Sequence, residues 1–262
     1  MTESLFLKNL WYFAMHGTAL KQGRLVAKEI LGERIFFGRD KENKPFALKD
    51  NCPHRGVPLS QGWYDGEVIQ CCYHGWKFDH TGTCLAIPAL ADEKFDVSRV
   101  KVFRYPCKEI SGTVWVYIPQ NKASLQGSEE RIPNLLLPAD KKFLFVEKVV
   151  MPADIDHAVI GLIDPAHVTF VHQSWYWRSA KKLKLKEKKF EPFELGFKMI
   201  RHTPSSNSKG YSILKGETST EINFQLPGVR TEHIRVGQHE IVSITCLTPI
   251  NENQTELNHI FY

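Results

Sequence analysis

Cys52-Pro53-His54-Arg55-Gly56 and Cys71-Cys72-Tyr73-His74-Gly75-Trp76 are the two stretches that decide the fold of the first half of this chain. In each stretch a cysteine stands just ahead of a histidine, with one residue between them in the first stretch and two in the second. Sixteen residues lie between His54 and Cys71. Thiolates and imidazoles in a two-plus-two set suit either a zinc ion or an iron–sulfur cluster. The two stretches therefore predict a metal centre.

The spacing of these ligands favours a cluster over zinc. Zinc fingers usually open with C-x₂₋₄-C, so that neighbouring thiolates share one ion. Here each loop supplies one sulfur and one nitrogen, which suits two sulfide-bridged irons with both cysteines on one iron and both histidines on the other. That ligand set defines a Rieske [2Fe–2S] centre, with zinc and two accidental pairs of core residues as the alternatives. Cys72 is not expected to be a ligand, because adjacent residues of an extended segment point in opposite directions.

The pattern C-P-H-R-G-x-P-L, followed by C-x-Y-H-G-W-x-F, resembles the Rieske signature of the non-haem iron oxygenases. These are the terminal oxygenase components that hydroxylate or demethylate organic substrates. The resemblance extends upstream over residues 9–12 and downstream over 81–84, 87–88 and 112–117. It implies a [2Fe–2S] cluster bound by Cys52, His54, Cys71 and His74.

Turn residues and short β-rich runs alternate through the first half of the chain. Residues 34–40 and 46–48 flank a polar turn and predict a hairpin. We expect an all-β Rieske domain over residues 1–130 and an α+β catalytic domain over 131–262, whose long antiparallel sheet is helix-grip-like. The second domain is predicted to open with a strand at 143–147 and a helical region at 153–172. Further strands are predicted near 68–71, 75–79, 99–103, 113–118, 196–201, 210–215, 218–225, 230–236 and 239–248.

A second metal-binding pattern, D-x-x-H-x-x-x-x-H, runs from Asp164 through His167 to His172. Two histidines and a carboxylate on one face of Fe(II) form the facial triad of non-haem oxygenases. On an ideal helix the two histidines are about 140° apart, so both reach one ion only if the helix ends or widens between them. Taken alone, the stretch also fits a helix that Asp164 caps, with Pro165 at its first position and the histidines on the surface.

The family resemblance implies roles for these three residues. His167 and His172 would be ligands of the mononuclear iron, and Asp164 would be the catalytic carboxylate that links a cluster histidine to an iron histidine. In the family this link crosses a subunit boundary, which implies a homo-oligomer, a trimer. The chain departs from the family at Gly161, where an asparagine often stands three residues before the aspartate.

The third iron ligand is where the sequence and the resemblance disagree. In the family a carboxylate comes from a later helix, but the ninety residues after His172 contain no aspartate. We therefore expect this chain to be truncated at its C-terminus, so that the catalytic domain is incomplete. The fallback ligands within the sequence are Glu217, Glu221, Glu232, Glu240 and Glu256.

Composition and charge bound the other properties. With 262 residues, 42% apolar and 24% charged, the chain fits an ordinary globular protein of one or two domains. It has no secretory signal and no apolar stretch long enough to cross a membrane, and we expect a cytoplasmic location. The net charge of +5 comes from the basic run 178–189, which holds seven basic residues and one glutamate. That run fits a solvated strand edge or loop, or a docking site for an acidic electron donor. It has no interleaved aromatics, so we expect no nucleic-acid partner.

Together these patterns predict an enzyme, an oxygenase component. It would accept electrons at the [2Fe–2S] cluster from a reductase or ferredoxin and activate dioxygen at mononuclear Fe(II). Its substrate would be a small organic molecule, aromatic or cyclic, that is hydroxylated or demethylated. The alternative is a catalytically inactive electron-transfer or ligand-binding protein that lacks the third iron ligand.

Overall fold

The structure is a computed structural model that describes residues 6–91, 94–138, 141–164, 171, 187–203 and 217–262. The chain divides into two compact units, Met1–Ile132 and Pro133–Tyr262. Among the described residues, strands dominate both units and one α-helix is present. None of the described helical segments is long and apolar enough to cross a membrane.

The first unit consists of three small antiparallel sheets. Their strand orders are β1-β11-β10, β2-β3-β4-β9 and β5-β6-β7-β8. The strands are β1 (Leu10–His16), β2 (Val26–Ile30), β3 (Glu33–Arg39), β4 (Pro45–Lys49), β5 (Trp63–Tyr64), β6 (Ile69–Gln70), β7 (Lys77–Phe78), β8 (Cys84–Ala86), β9 (Arg104–Tyr105), β10 (Cys107–Ile110) and β11 (Thr113–Ile118).

The β3–β4 hairpin separates two apolar cores. Ile35 and Phe37 of β3 belong to a core that β1 and β11 also line. Phe36 points to the other side, where it joins Phe46 and the two predicted cluster cysteines in a second core. Successive side chains of a strand point to opposite faces, so one hairpin can serve both cores. The second core anchors the Cys-His loops.

Most of the predicted strands of the first unit are confirmed. The hairpin forms over β3 and β4, and the strand at 113–118 is β11. The strand predicted at 99–103 is wrong. Asp96 accepts hydrogen bonds from the backbone N–H and the hydroxyl of Ser98, at 3.0 and 2.6 Å, and this capping starts a 3₁₀ turn over Val97–Arg99. Pairing resumes in β9, apart from a single bridge at Lys101.

The second unit is built on one seven-stranded antiparallel sheet with the order β12-β18-β17-β16-β15-β14-β13. The predicted strands at 196–201, 218–225, 230–236 and 239–248 are confirmed, and the strand predicted at 143–147 begins two residues later. The strand predicted at 210–215 lies outside the described residues. The strands are β12 (Phe145–Met151), β13 (Phe190–Phe193), β14 (Gly196–His202), β15 (Thr218–Gln225), β16 (Val229–Val236), β17 (His239–Asn251) and β18 (Gln254–Phe261).

The helix of this unit, α1 (Ile155–Ile163), follows β12 directly. Asp154 caps its start, because its carboxylate accepts the backbone N–H of His157 at 2.9 Å. The predicted helix at 153–172 therefore starts where expected, but it is interrupted at Asp164, which is extended. Val171 is again helical, and the rest of 165–172 lies outside the described residues. The last turn of α1 packs on Met199, Ile222 and Phe224 of the sheet.

Candidate metal centres

The first Cys-His loop is closed by two backbone hydrogen bonds. The N–H of Cys52 donates to the carbonyl of Val57 at 2.8 Å, and the N–H of Gly56 donates to the carbonyl of Cys52 at 2.8 Å. Gly56 has a φ of 72°, a left-handed conformation that glycine adopts without steric cost. The chain therefore reverses within five residues and returns beside its starting cysteine.

The second loop has the same closure, although its spacing differs by one residue. The N–H of Cys71 donates to the carbonyl of Trp76 at 2.8 Å, and the N–H of Gly75 donates to the carbonyl of Cys71 at 3.1 Å. Gly75 has a φ of 71°, almost equal to that of the first glycine. In both loops a glycine stands four residues after the cysteine, so the two loops form matching cradles.

The two cysteines lie side by side in the core beneath the loops. Cys52 and Cys71 are each 2% exposed, and neither forms a disulfide. Burial raises the pKa of the Cys52 thiol to about 11, while the backbone N–H groups of His54 and Arg55 stabilise the thiolate and act in the opposite direction. Buried thiolates therefore need a cationic partner here, such as a metal ion. The backbone N–H groups of the loop are hydrogen-bond donors of the kind that adjust the reduction potential of metal–thiolate sites.

The two histidines lie on the outer side of the loops. His54 and His74 are exposed, and their ring centroids are 4.5 Å apart. The ring of His54 stacks on Trp76 at 4.8 Å with an interplanar angle of 3°, and Tyr73 lies 4.0 Å from His74. Partial desolvation, followed by the neighbouring His74 and Arg55, lowers the pKa of His54 and so favours the neutral imidazole, the form that binds metal.

This arrangement fits a two-iron cluster better than one zinc ion. A structural zinc ion needs four ligands that converge on one point. A Rieske cluster needs two thiolates on one iron and two imidazoles on the other. The buried cysteine pair and the exposed histidine pair match that division.

The other four cysteines have different surroundings. Cys72 is exposed, whereas its neighbour Cys71 is buried. Cys84 and Cys246 are buried, and burial raises the pKa of both thiols. Cys107 is partly exposed, and desolvation raises the pKa of its thiol too. These thiols are therefore protonated, packed side chains, apart from Cys72, which stays a predicted non-ligand.

Asp164 stands at the point where α1 ends. Its N–H donates to the carbonyl of Ile160 at 3.0 Å, and its backbone is extended, with φ −68° and ψ 112°. Because Pro165 follows, the α conformation is disfavoured at Asp164. The aspartate is thus the C-terminal cap residue of α1 and the first residue of the predicted iron motif.

His167 and His172 lie outside the described residues, as do residues 178–186 of the basic run. Four of the five fallback glutamates form ion pairs within the sheet, and Glu217 is exposed at the start of β15. Glu232 and Glu256 are held most closely, at 2.8 Å from Arg230 and 2.7 Å from Lys148. Glu240 pairs with Arg235 and Glu221 with Arg201.

Sequence reasoning missed two features of the cluster site. The indole of Trp76 supports the ring of His54, although it comes from the other loop. Gly56 and Gly75 share one backbone role. Their common offset of four residues from each cysteine was a signal in the sequence, whereas the stacking depends on how the loops face each other.

Comparison with known proteins points to one family. Residues 10–106 match the Rieske [2Fe-2S] domain family. The chain is 31% identical over 174 residues to the chloroplastic chlorophyllide a oxygenase of Chlamydomonas reinhardtii, covering 66% of this chain and 25% of that protein. It is 31% identical over 169 residues to the 3-chlorobenzoate-3,4-dioxygenase oxygenase subunit of Comamonas testosteroni, covering 63% and 38%. The chain thus spans well under half of these relatives.

Solved structures share the fold over nearly the whole chain. Dicamba monooxygenase bound to dicamba superposes with a TM-score of 0.79 at 20% identity, over 98% of this chain and 77% of that one. NdmA of Pseudomonas putida CBB5 gives a TM-score of 0.73 at 19% identity, over 97% and 72%. The chain therefore carries a Rieske [2Fe-2S] domain over residues 10–106, and over about two thirds of its length it is similar to named oxygenase components.

Proposed function

We propose that this chain is the oxygenase component of a Rieske system that hydroxylates or demethylates a small aromatic or cyclic substrate. In this proposal residues 1–130 form the Rieske domain and residues 131–262 belong to the catalytic domain. The observation that carries the proposal is the pair of matching loops, which join a buried thiol pair to an exposed imidazole pair. Curated relatives named as dioxygenase and monooxygenase components support it and do not favour an inactive protein.

Cys52, His54, Cys71 and His74 would hold the cluster. When bound there, the cluster supplies one-electron transfer at a potential that its neutral histidines raise. Because the two histidines are exposed and the two cysteines are buried, the imidazole pair is the side that another redox group can approach. The stacking of Trp76 on His54 fixes the orientation of one imidazole.

His167 and His172 would hold a mononuclear Fe(II), which supplies dioxygen activation when bound. Asp164 would accept a hydrogen bond from an imidazole of this site and link it to a cluster histidine, as a positioning residue. Its place at the end of α1, three residues before His167, supports this role. A structure of dicamba monooxygenase, a protein of the same fold, is described as containing non-haem iron. The third ligand would be a carboxylate, for which this sequence offers Glu217, Glu221, Glu232, Glu240 and Glu256.

The partners follow from the same proposal. A reductase or ferredoxin would supply electrons, and dioxygen and a small organic molecule would be the substrates. The link through Asp164 would join neighbouring subunits of a homotrimer. All six cysteines are free, which fits a reducing compartment such as the cytoplasm.

Iron content tests the proposal most simply. The complete protein, purified without oxygen, should contain about three irons and about two acid-labile sulfides per chain. The double variant His167→Ala/His172→Ala should keep the visible spectrum of the cluster and fall to about two irons, and it should lose substrate-dependent oxygen uptake. An unchanged iron content in the variant would exclude these histidines as ligands.

The role of Asp164 has its own test. Asp164→Asn should retain both metals and still allow dithionite to reduce the cluster. Transfer from the reduced cluster should stop, so that single-turnover product formation is lost while the cluster spectrum is unchanged. Loss of folding and of both metals would instead favour a purely structural cap.

A further inference from the structure

Polar side chains lie on the sheet face that α1 covers. In the pairing of β15 with β16, Ile222 is opposite Glu232 and Phe224 is opposite Arg230. Directly opposite residues of antiparallel strands point to the same face. The last turn of α1 packs on Ile222 and Phe224. Arg230 and Glu232 therefore lie on the same face as α1, one strand away from its apolar contacts.

His259 belongs to the same face. Arg230 is opposite Thr245 of β17, and Thr245 is opposite His259 of β18, so the three side chains form one row across the sheet. The ring of His259 contacts Phe261 at 4.2 Å between centroids. Burial, and next the nearby charge of Arg230, lower the pKa of His259, so that it is neutral at neutral pH. We call Arg230, Glu232 and His259 the sheet-face cluster.

Glu232 fixes the guanidinium of Arg230. One carboxylate oxygen of Glu232 is 2.8 Å from Nη2 of Arg230, and the other accepts the hydroxyl of Thr220 at 3.1 Å. Both oxygens are therefore engaged, and both side chains are more than four-fifths buried. The pair carries no net charge, and the Glu232 carboxylate is positioned by both Arg230 and Thr220.

Two nitrogen atoms of the sheet-face cluster are buried without a hydrogen-bond partner. They are Nε of Arg230 and Nε2 of His259, and among the described residues nothing bonds to either atom. Buried polar atoms are nearly always hydrogen-bonded, because leaving one unpaired costs free energy. Two such atoms in one row, beside apolar and aromatic side chains, are what a small-molecule site presents before its ligand binds.

We propose that Arg230 and His259 are the hydrogen-bonding groups of the substrate site, and that the substrate offers them a neutral acceptor such as a carbonyl oxygen, an ether oxygen or a ring nitrogen. This inference rests on the proposed oxygenase function and specifies its substrate class. Ile222, Phe224 and Phe261 supply the apolar surface beside these groups. Asp164, which ends the helix on this face, leads directly into the predicted iron motif.

The charge of the site favours a neutral substrate over a carboxylate. Glu232 cancels the charge of Arg230, and His259 is uncharged. Glu147 of β12 is opposite His259 and adds a negative charge to the same row. An anionic substrate would therefore meet no net positive charge, whereas a neutral acceptor can use the Nε–H of Arg230.

Titration calorimetry on the complete metal-loaded protein tests this inference with benzamide and benzoate. The two probes have nearly the same shape, but benzamide is a neutral acceptor and benzoate is an anion. Benzamide should bind about tenfold more tightly than benzoate, and Arg230→Gln and His259→Phe should each weaken benzamide binding about tenfold. Thermal unfolding and the cluster spectrum check that each variant is folded.

Matched control variants separate a local effect from a general one. Arg235→Gln removes an arginine of the same strand, paired with Glu240 at 2.9 Å but on the opposite face of the sheet. His239→Phe removes an exposed histidine of β17. Both controls should leave benzamide binding unchanged. If Arg230→Gln fails to fold, His259→Phe with its control decides the matter.

Three results would overturn the inference. They are tighter binding of benzoate than of benzamide, equal loss in variants and controls, and no binding of benzamide by the parent protein. If a buried water is the only partner of the two nitrogens, neither Arg230→Gln nor His259→Phe would change benzamide binding. That result would also overturn the inference. Failure of the proposed oxygenase function can be told apart from failure of this inference. In that case the protein would contain two irons per chain, while benzamide binding would still depend on Arg230 and His259.

Discussion

The Cys-His loops of the first unit and the sheet-face cluster of the second unit bring polar side chains together in different ways. In the loops, each cysteine and histidine lie within four residues of one another, and backbone hydrogen bonds close the chain around them. In the sheet-face cluster, Arg230 and His259 come from β16 and β18, with β17 between them. The first arrangement depends on a local turn, and the second depends on the register of a long sheet.

This difference has consequences for mutation. A cluster site fails when one ligand is lost, because each iron of a Rieske centre needs both of its protein ligands. A sheet site has its backbone fixed by pairing on both sides, so a side-chain change there alters polarity without moving the frame. We therefore expect all-or-none effects in the loops and graded effects on the sheet.

The largest expected effect is the loss of the cluster from a single ligand change. Cys52→Ser should abolish the visible absorption and the low average g-value signal of a histidine-ligated [2Fe–2S] centre, because serine cannot replace the buried thiolate. His74→Ala should do the same. Cys72→Ser is the matched control, since its side chain is exposed and adjacent in the chain to the predicted ligand Cys71. If Cys72→Ser also lost the cluster signals, the assignment of Cys71 rather than Cys72 as the ligand would be contradicted.

The next effect concerns the core beneath the loops. Phe36 is fully buried in the core that holds both cluster cysteines. Phe36→Ala should lower the free energy of unfolding of this unit by about 3–5 kcal/mol, from lost burial and a residual cavity. Phe95→Ala, at a phenylalanine that is 43% exposed, is the control and should change it by under about 1 kcal/mol. Denaturant titration followed by cluster absorbance measures both, and equal losses would contradict the assignment of the core.

A pair of glycine substitutions compares the backbone of the two units. Gly75→Ala places a side chain at a φ of 71° and should destabilise the loop by about 1–2 kcal/mol. Gly161→Ala lies inside α1, where an added Cβ meets nothing within 4 Å, and should stabilise the helix by about 0.5–1 kcal/mol. Opposite signs in thermal unfolding are expected. The same sign for both would show that the loop tolerates alanine.

The smallest effect is a pH dependence on the sheet. The pKa of His259 is lower in the folded state than its ordinary value near 6.5, so the unfolded chain binds more protons in the window just below pH 6.5. Stability from this residue is therefore complete above that value and decreases as the pH falls. His259→Phe should flatten the dependence of stability on pH just below 6.5, whereas His239→Phe should not. An unchanged slope in the first variant would mean that His259 is not buried in its neutral form.

The sequence predicts the local Cys-His loops better than it predicts the sheet-face cluster. The two closed Cys-His loops were predictable, because each carries its cysteine and histidine within a short segment; the binding of a cluster by these residues stays a prediction. Strand β11 was predictable from its continuous run of β-branched and aromatic residues, and β15 from the alternation of apolar residues in its second half. The end of α1 at Asp164 was not predicted, although Pro165 carried the signal.

The sheet-face cluster could not be predicted, for a physical reason. Arg230, Glu232 and His259 look like ordinary strand residues until the register places them in neighbouring rows. No local pattern around His259 marks its Nε2 as buried and without a hydrogen-bond partner among the described residues. Pairing between distant strands decides such contacts, and local patterns do not encode it.

Metal and sulfide analysis of the purified protein tests the central claim most directly. If Cys52 and Cys71 bind one iron and His54 and His74 bind the other, the protein should contain about two acid-labile sulfides per chain, and Mössbauer spectra should show two inequivalent cluster irons in equal amounts. A colourless protein with one stoichiometric zinc and no sulfide would contradict the account, because all four ligands would then share a single ion.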